Sequence, residues 1–360
     1  MSLTTLLEAR QGDHRYDVRV GPGAADALEP LAGRHDRVAV VSCARVLKTP
    51  VAKRALAAAR RGGDVVLVHA LPDGEKGKTL AQLEKAASKL LVAGLTRRSL
   101  VVSIGGGAVS DAAGFLAATF MRGIAWVAVP TTLLSMVDAA LGGKTAVNLP
   151  LAKNAVGAFH PPSAVLADPR ALETLPAREL RSGMGEVVKY ALLHPALLGR
   201  VTAVGARRPD AGLIAECARA KLAVVEADPL EKGARKLLNL GHTFGHGVEA
   251  AGRFEKYTHG EAVAVGLAFA FRLAEALGRV GPLAAAEVET AIAAAGLPVR
   301  VPKAVAKKAA ALMVHDKKRT ASGLRWVLPR QEGASGWTVE WDVAADDRSV
   351  AAAVEVIGEG

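Results

Sequence analysis

The chain has 360 residues, 51% hydrophobic and 22% charged, which is ample material for a packed core and excludes disorder as the dominant state. Lys and Arg outnumber Asp and Glu by 46 to 35, a net charge of +11. The basic residues are scattered and aromatics make up only 4%, so the charge argues against nucleic-acid binding and reads first as a solubilising surface, with anionic small molecules as the alternative.

The first eighteen residues, MSLTTLLEARQGDHRYDV, carry early charges and no apolar signal core. Two distant cysteines, Cys43 and Cys217, exclude a disulfide framework and fit a reducing compartment, so a cytoplasmic location is expected. Arg37–Ser42 reads as a strand, followed by a helix over Thr49–Ala58 with Thr49 as cap and Pro50 at its first position. Strands at Asp64–His69, Leu100–Ile104 and Ala125–Val129 follow, with a helical pattern over Leu80–Val92. Apolar strands separated by helices indicate an α/β plan with a parallel sheet covered on both faces. The apolar stretch Ser99–Met121 contains three consecutive glycines and Asp111, so it reads as strand, turn and helix and not as a membrane span.

From about residue 176 the pattern turns helical: Arg178–Leu193, Pro209–Asp228, Leu237–Ala251, Gly260–Leu277 and Ala284–Ala295, with a strand pair at Gly323–Leu328 and Trp337–Trp341. The division expected is a nucleotide-binding domain over 1–175 and a mainly helical domain over 176–360.

Three clusters carry chemistry. SIGGGAVSD (Ser103–Asp111) places glycines between a strand and a helix, where backbone N–H groups can meet a pyrophosphate. Glu186 and Lys189 share a helix face in an apolar run, which suits either an ion pair or a site. His242 and His246 are four apart, a spacing that suits a metal and would make them the ligand pair, and His259 opens the next helix beside Glu261. Gly-Gly-Lys-Thr (Gly142–Thr145) is a P-loop fragment without its upstream glycine, so an ATPase reading fails. It still suits a phosphate or carboxylate, together with Lys153, Asn154, Arg122, Lys221, Arg235, Lys317 and Lys318.

Taken together, these segments resemble the 3-dehydroquinate synthase family of sugar-phosphate cyclases. The resemblance is carried by DGEK (Asp73–Lys76), GGGAVSDAAGF (Gly105–Phe115), MRG (Met121–Gly123) and VPTTLLSMVDAALGGKTAVN (Val129–Asn148). It continues through KNAVGAF (Lys153–Phe159), TLPARELRSGMGEVVKY (Thr174–Tyr190), LNLGHTFGHGVEA (Leu238–Ala250), HGEAVAVG (His259–Gly266) and DKK (Asp316–Lys318).

The resemblance implies an N-terminal Rossmann-like NAD-binding domain, a mainly α-helical metal-binding domain after it and a homodimer. It implies conversion of 3-deoxy-D-arabino-heptulosonate 7-phosphate to 3-dehydroquinate and phosphate, with NAD regenerated and a divalent zinc or cobalt ion bound. By motif, the metal ligands would be Glu186, His242 and His259, in place of the pair that spacing suggests. NAD contacts would come from Asp73, Gly74, Glu75, Lys76, Gly107, Ala108, Val109, Ser110, Asp111, Thr131, Thr132, Leu172 and Thr174. Lys144 and Lys153 would sit where cofactor and substrate meet. Lys144, Asn154, Asn239, His246 and one of Lys317 or Lys318 would hold the phosphate. Lys221 and Arg235 would pair with the carboxylate, Asp138, Lys189 and Glu231 would surround the reacting hydroxyls, and Arg122 would reach a neighbouring subunit. The chain departs from the common pattern at Ala146, Leu149, Ala152, Gly185 and Pro229, none a proposed ligand. The alternatives are another cyclase, making an inosose, a valiolone or an amino-dehydroquinate, or an NAD-dependent metal polyol dehydrogenase. The intact Lys221, Arg235 and KNAVGAF favour a phosphorylated, carboxylated sugar.

Overall fold

The computed structural model describes residues 4–150, 152–313, 319–320, 323–333 and 336–359. Two units emerge, Met1–Pro176 with Pro209–Pro229, and Ala177–Arg208 with Leu230–Gly360. The helix Ala211–Ala227, which follows the first helix of the second unit in sequence, packs on the first unit's strand Thr5–Gln11 and on the segment Ser135–Ala139.

The first unit is built on a seven-stranded sheet. Its strands are β1 (Thr5–Gln11), β2 (His14–Val20), β3 (Val38–Cys43), β4 (Val65–Leu71), β5 (Leu100–Gly105), β6 (Ala125–Pro130) and a strand at Ala164–Ala167 between β2 and β6. Only β1 runs antiparallel to its neighbour; the other pairings are parallel. Every residue of β3 and β5 is buried, as covered parallel strands require. Val38, Val40, Leu100, Val102, Ile104, Val127 and Val129 close one face against Leu28, Ala52 and Ala55. The chain leaves β3 for β4 at one edge, then returns to β5 on the other side of β3. That reversal creates a crevice at the carboxyl ends of β3 and β5, where such sheets bind ligands.

Helix starts follow local chemistry. Thr49 accepts from Ala52 N–H and Pro50 opens the helix Pro50–Gly62. Thr79 caps Leu80–Val92 by accepting from Gln82 N–H, and Asp210 caps Ala211–Ala227 by accepting from Leu213 N–H. The expected helix over 237–251 is instead a tight turn at Ala234–Asn239 and a helix at His242–Ala251, because Gly241 sits at φ 77° and interrupts the helical path.

In the second unit the helix His259–Ala276 is central and packs against Ala177–Leu193, His242–Ala251, Pro282–Ala294 and Asp347–Ile357. Phe244 stacks on Phe269 at 4.1 Å, and Phe271 meets Trp337 edge-on at 5.2 Å. The C-terminal strand pair is an antiparallel hairpin, Trp326–Glu332 with Gly336–Val343, so its first strand runs later than expected. Sequence reading missed the hairpins β1–β2 and Lys144–Leu149 with Ala152–Phe159, and the helices Lys303–Met313 and Asp347–Ile357. The second hairpin has a strand exposed over much of its length, so it lacks an apolar run. Among the described residues no helix is long and apolar enough to cross a membrane.

Candidate active site: a buried Glu–His–His cluster and a glycine-lined helix start

Three helices of the second unit converge because glycines let their backbones touch. A Cβ on Gly260 would lie 1.7 Å from Ser182 O, and one on Gly185 would lie 2.4 Å from Gly260 O. Gly260 N–H donates to Ser182 Oγ at 3.1 Å. This contact places Glu186 beside His259, which opens its helix behind a capping box of Thr258 and Glu261.

Glu186 is fully buried. Its Oε1 lies 3.3 Å from His259 Nε2 and 3.5 Å from His242 Nε2, while Lys189 Nζ pairs with its Oε2. The ligand-capable atoms of Glu186, His242 and His259 all lie within 4.8 Å of one another. One carboxylate and two imidazoles form a donor set that suits zinc or cobalt. The other ring nitrogens are held too: His242 Nδ1 lies 3.1 Å from Leu240 O and His259 Nδ1 lies 3.5 Å from Glu249 Oε2. Burial lowers the basicity of His259, but the hydrogen bonds to Glu186 and Glu249 outweigh it and push its pKa up to about 10. The spacing pair is corrected here: His246 is exposed and lies outside the trio, its ring 5.5 Å from that of His242. A single helix face cannot reveal a carboxylate on another helix.

In the same unit, Arg235 is fully buried on the 234–239 turn, and Asn239 Nδ2 donates to Glu231 Oε1 at 3.2 Å. Glu231 holds a left-handed backbone, φ 59°. Lys317 and Lys318 lie outside the described residues.

In the first unit the glycine turn forms as expected. Gly106 starts the helix Gly107–Thr119, which carries Ala108, Val109, Ser110 and Asp111, and no side chain caps it. A Cβ on Gly106 would fall 2.9 Å from Thr132 Cγ2. The opening helix turn therefore presents bare backbone at the carboxyl end of β5, a cradle for a pyrophosphate. Thr131 is buried and its N–H donates to Gly105 O at 2.9 Å.

Lys78 bridges Asp111 and Asn154. Burial pushes the Asp111 carboxyl up, and Lys78 opposes that shift. Glu75, within the Asp73–Lys76 turn, accepts from Asn148 Nδ2 at 2.5 Å. Asn154 N–H donates to Asn148 Oδ1 at 3.0 Å. Asn154 itself is exposed at φ 54°. Lys221 Nζ donates to Asp138 Oδ1 at 2.6 Å and to Asp138 O at 2.7 Å. Lys144 and Lys153 are exposed on the 144–159 hairpin, and Arg122 is exposed at φ 66°. Leu172 is buried, and Thr174 Oγ1 donates to Ala171 O. Lys78, Asn148 and Glu249 were missed in sequence. Lys78 stands two residues past DGEK, and Glu249 lies seven residues past His242, two turns along the same helix.

Residues 68–182 match the model of the 3-dehydroquinate synthase N-terminal family, and residues 183–319 that of its C-terminal family. The chain is 39% identical over 346 residues to the 3-dehydroquinate synthase of Thermosynechococcus vestitus, covering 92% of this chain and 94% of the relative. Among solved structures, a 2-deoxy-scyllo-inosose synthase complexed with carbaglucose-6-phosphate, NAD+ and Co2+ superposes with a TM-score of 0.85 at 26% identity, over 99% of this chain and 100% of that one. A 2-epi-5-epi-valiolone synthase from Streptomyces hygroscopicus with NAD+ and Zn2+ bound gives 0.82 at 27%, over 99% of each chain.

Proposed function

The chain belongs to the 3-dehydroquinate synthase family, and from that premise we propose residue roles for the reaction it catalyses. That reaction converts 3-deoxy-D-arabino-heptulosonate 7-phosphate to 3-dehydroquinate and phosphate in the shikimate pathway, with NAD and a divalent metal as cofactors. The other cyclases share the fold at lower identity, 26–27% against 39%, which favours this substrate over theirs.

The observation that carries the reading is the convergence of Glu186, His242 and His259. These three would hold the metal, whose charge acidifies a substrate hydroxyl when bound. NAD would lie over the bare start of the helix Gly107–Thr119, contacting the 73–76 turn, Asp111, Thr131, Thr132, Leu172 and Thr174, and it supplies a hydride acceptor.

The remaining roles belong to the chain's own side chains. Lys189, buried and paired with Glu186, fixes that carboxylate and keeps a proton donor beside the reacting hydroxyls. Asp138 and Glu231 accept hydrogen bonds from those hydroxyls. Phosphate-binding roles, which stabilise charge as it leaves, are assigned to Lys144 and Asn154 in the first unit and to Asn239, His246 and Lys317 or Lys318 in the second. Lys153 joins Lys144 where cofactor and substrate meet. Carboxylate-binding roles are assigned to Lys221 in the first unit and to Arg235 in the second; desolvated Arg235 is suited to a planar anion.

We assign the NAD role to the first unit and the metal role to the second. We further propose a homodimer in the cytoplasm, with Arg122 reaching the partner's substrate. Sedimentation of the purified protein tests the dimer: a monomer at micromolar concentration contradicts it. The activity itself is tested by phosphate release without net NADH, whereas net NADH would indicate a polyol dehydrogenase.

A further inference from the structure

Glu249 is 7% exposed and shares a helix with the metal-ligand candidate His242. Its Oε2 lies 3.5 Å from Nδ1 of His259, on the neighbouring helix. The opposite ring nitrogen, Nε2, is the one directed at Glu186 Oε1. A neutral imidazole carries one N–H donor and one lone pair. If Nδ1–H donates to Glu249, the lone pair is confined to Nε2, where the three ligand atoms converge. His242 is arranged the same way, but its Nδ1 faces the backbone carbonyl of Leu240.

We propose that Glu249 is a positioning residue for the metal centre: it holds the His259 ring in the tautomer and orientation that present Nε2 to the cation. The inference rests on reading Glu186, His242 and His259 as the metal site. The two histidines then differ in kind. His242 is oriented by a carbonyl that no side-chain substitution removes. His259 is oriented by a carboxylate that a single substitution removes, and its side chain is 32% exposed. Outer carboxylates of this type typically contribute about 10–100-fold to metal affinity.

The test loads the full-length protein with Co2+ and measures affinity by competition with a chromogenic chelator. The visible absorption spectrum of the bound ion is recorded in parallel. Glu249→Ala should weaken Co2+ binding by about 10–100-fold and alter the spectrum. Glu249→Gln, whose amide oxygen still accepts from Nδ1–H, should keep the wild-type spectrum and recover part of the affinity. It also carries the test if Glu249→Ala fails to fold. His259→Ala is the control. Wild-type affinity and spectrum in both Glu249 variants, with affinity lost in His259→Ala, would overturn the positioning role alone. Unchanged affinity in His259→Ala as well would overturn the metal-site reading and the inference with it.

Discussion

The two units treat their buried charges differently. In the first, each buried cation is met by oxygens of the chain itself: Lys78 by Asp111 and Asn154, Lys221 by the side chain and the backbone carbonyl of Asp138. In the second, the Glu186 carboxylate takes Lys189 on one oxygen and turns the other toward two imidazole nitrogens. Two neutral imidazoles offer lone pairs there, and lone pairs facing a carboxylate oxygen need a cation between them. A proton on His259 serves that need, and in the proposed metal site a cation would replace it. The first unit's pairs are thus complete as built, while the second unit's cluster, on that proposal, sets a proton against a metal.

The sharpest way to break that contrast is to remove Glu186. Glu186→Ala should abolish metal retention on dialysis and with it activity. It also strands buried Lys189, at a cost of about 3–5 kcal/mol, read in urea unfolding. Retained stoichiometric metal would refute the assignment. Next in size is Gly260→Ala, whose Cβ would overlap Ser182 O. Pushing the helices apart should cost at least about 1–3 kcal/mol and weaken metal binding together with stability. Stability lost with metal affinity intact would show that the helix contact does not set the site.

The first unit should respond differently. Asp138→Asn keeps an acceptor for Lys221 but removes the charge, so about 1–2 kcal/mol of stability is expected to go. Turnover should fall while metal content, measured by atomic absorption, stays at wild type. Loss of metal would erase the distinction between the units.

Proton and metal can be set against each other by pH. His259 has a folded pKa near 10 without metal, above its ordinary 6.5. Protonated His259 therefore stabilises the chelated protein fully below about pH 6.5, and that contribution is lost as pH rises through about 10. Metal binding requires the neutral ring, so the rise in Tm on adding Zn2+ should grow between these limits. A pH-independent rise would contradict the competition. The smallest effect is expected at the exposed Arg54–Asp26 pair, where Arg54→Ala should change stability by less than about 1 kcal/mol and leave activity unchanged.

Much of this was legible in the sequence for identifiable reasons. The covered strands β3, β5 and β6 are predominantly apolar, interrupted in β3 and β5 only by Ser42 and Ser103, and Thr49–Pro50 marks a helix start that the structure keeps. The exposed hairpin 144–159 carries no such pattern and was missed. At the Glu–His–His cluster, helical spacing alone joined His242 to His246, because periodicity sees one helix at a time. The partner carboxylate sits 56 residues earlier, brought in by glycine-mediated packing that no local pattern encodes. Motif resemblance named the trio that the structure brings together. It passed over Glu249 and Lys78, which act on other side chains and so leave no signature of their own.

The most direct test of the account is phosphate release from 3-deoxy-D-arabino-heptulosonate 7-phosphate with NAD and Zn2+ or Co2+, before and after chelation. The account predicts release without net NADH, lost on chelation and restored by either ion. No release from folded, metal-loaded protein, or release that survives chelation, would contradict it.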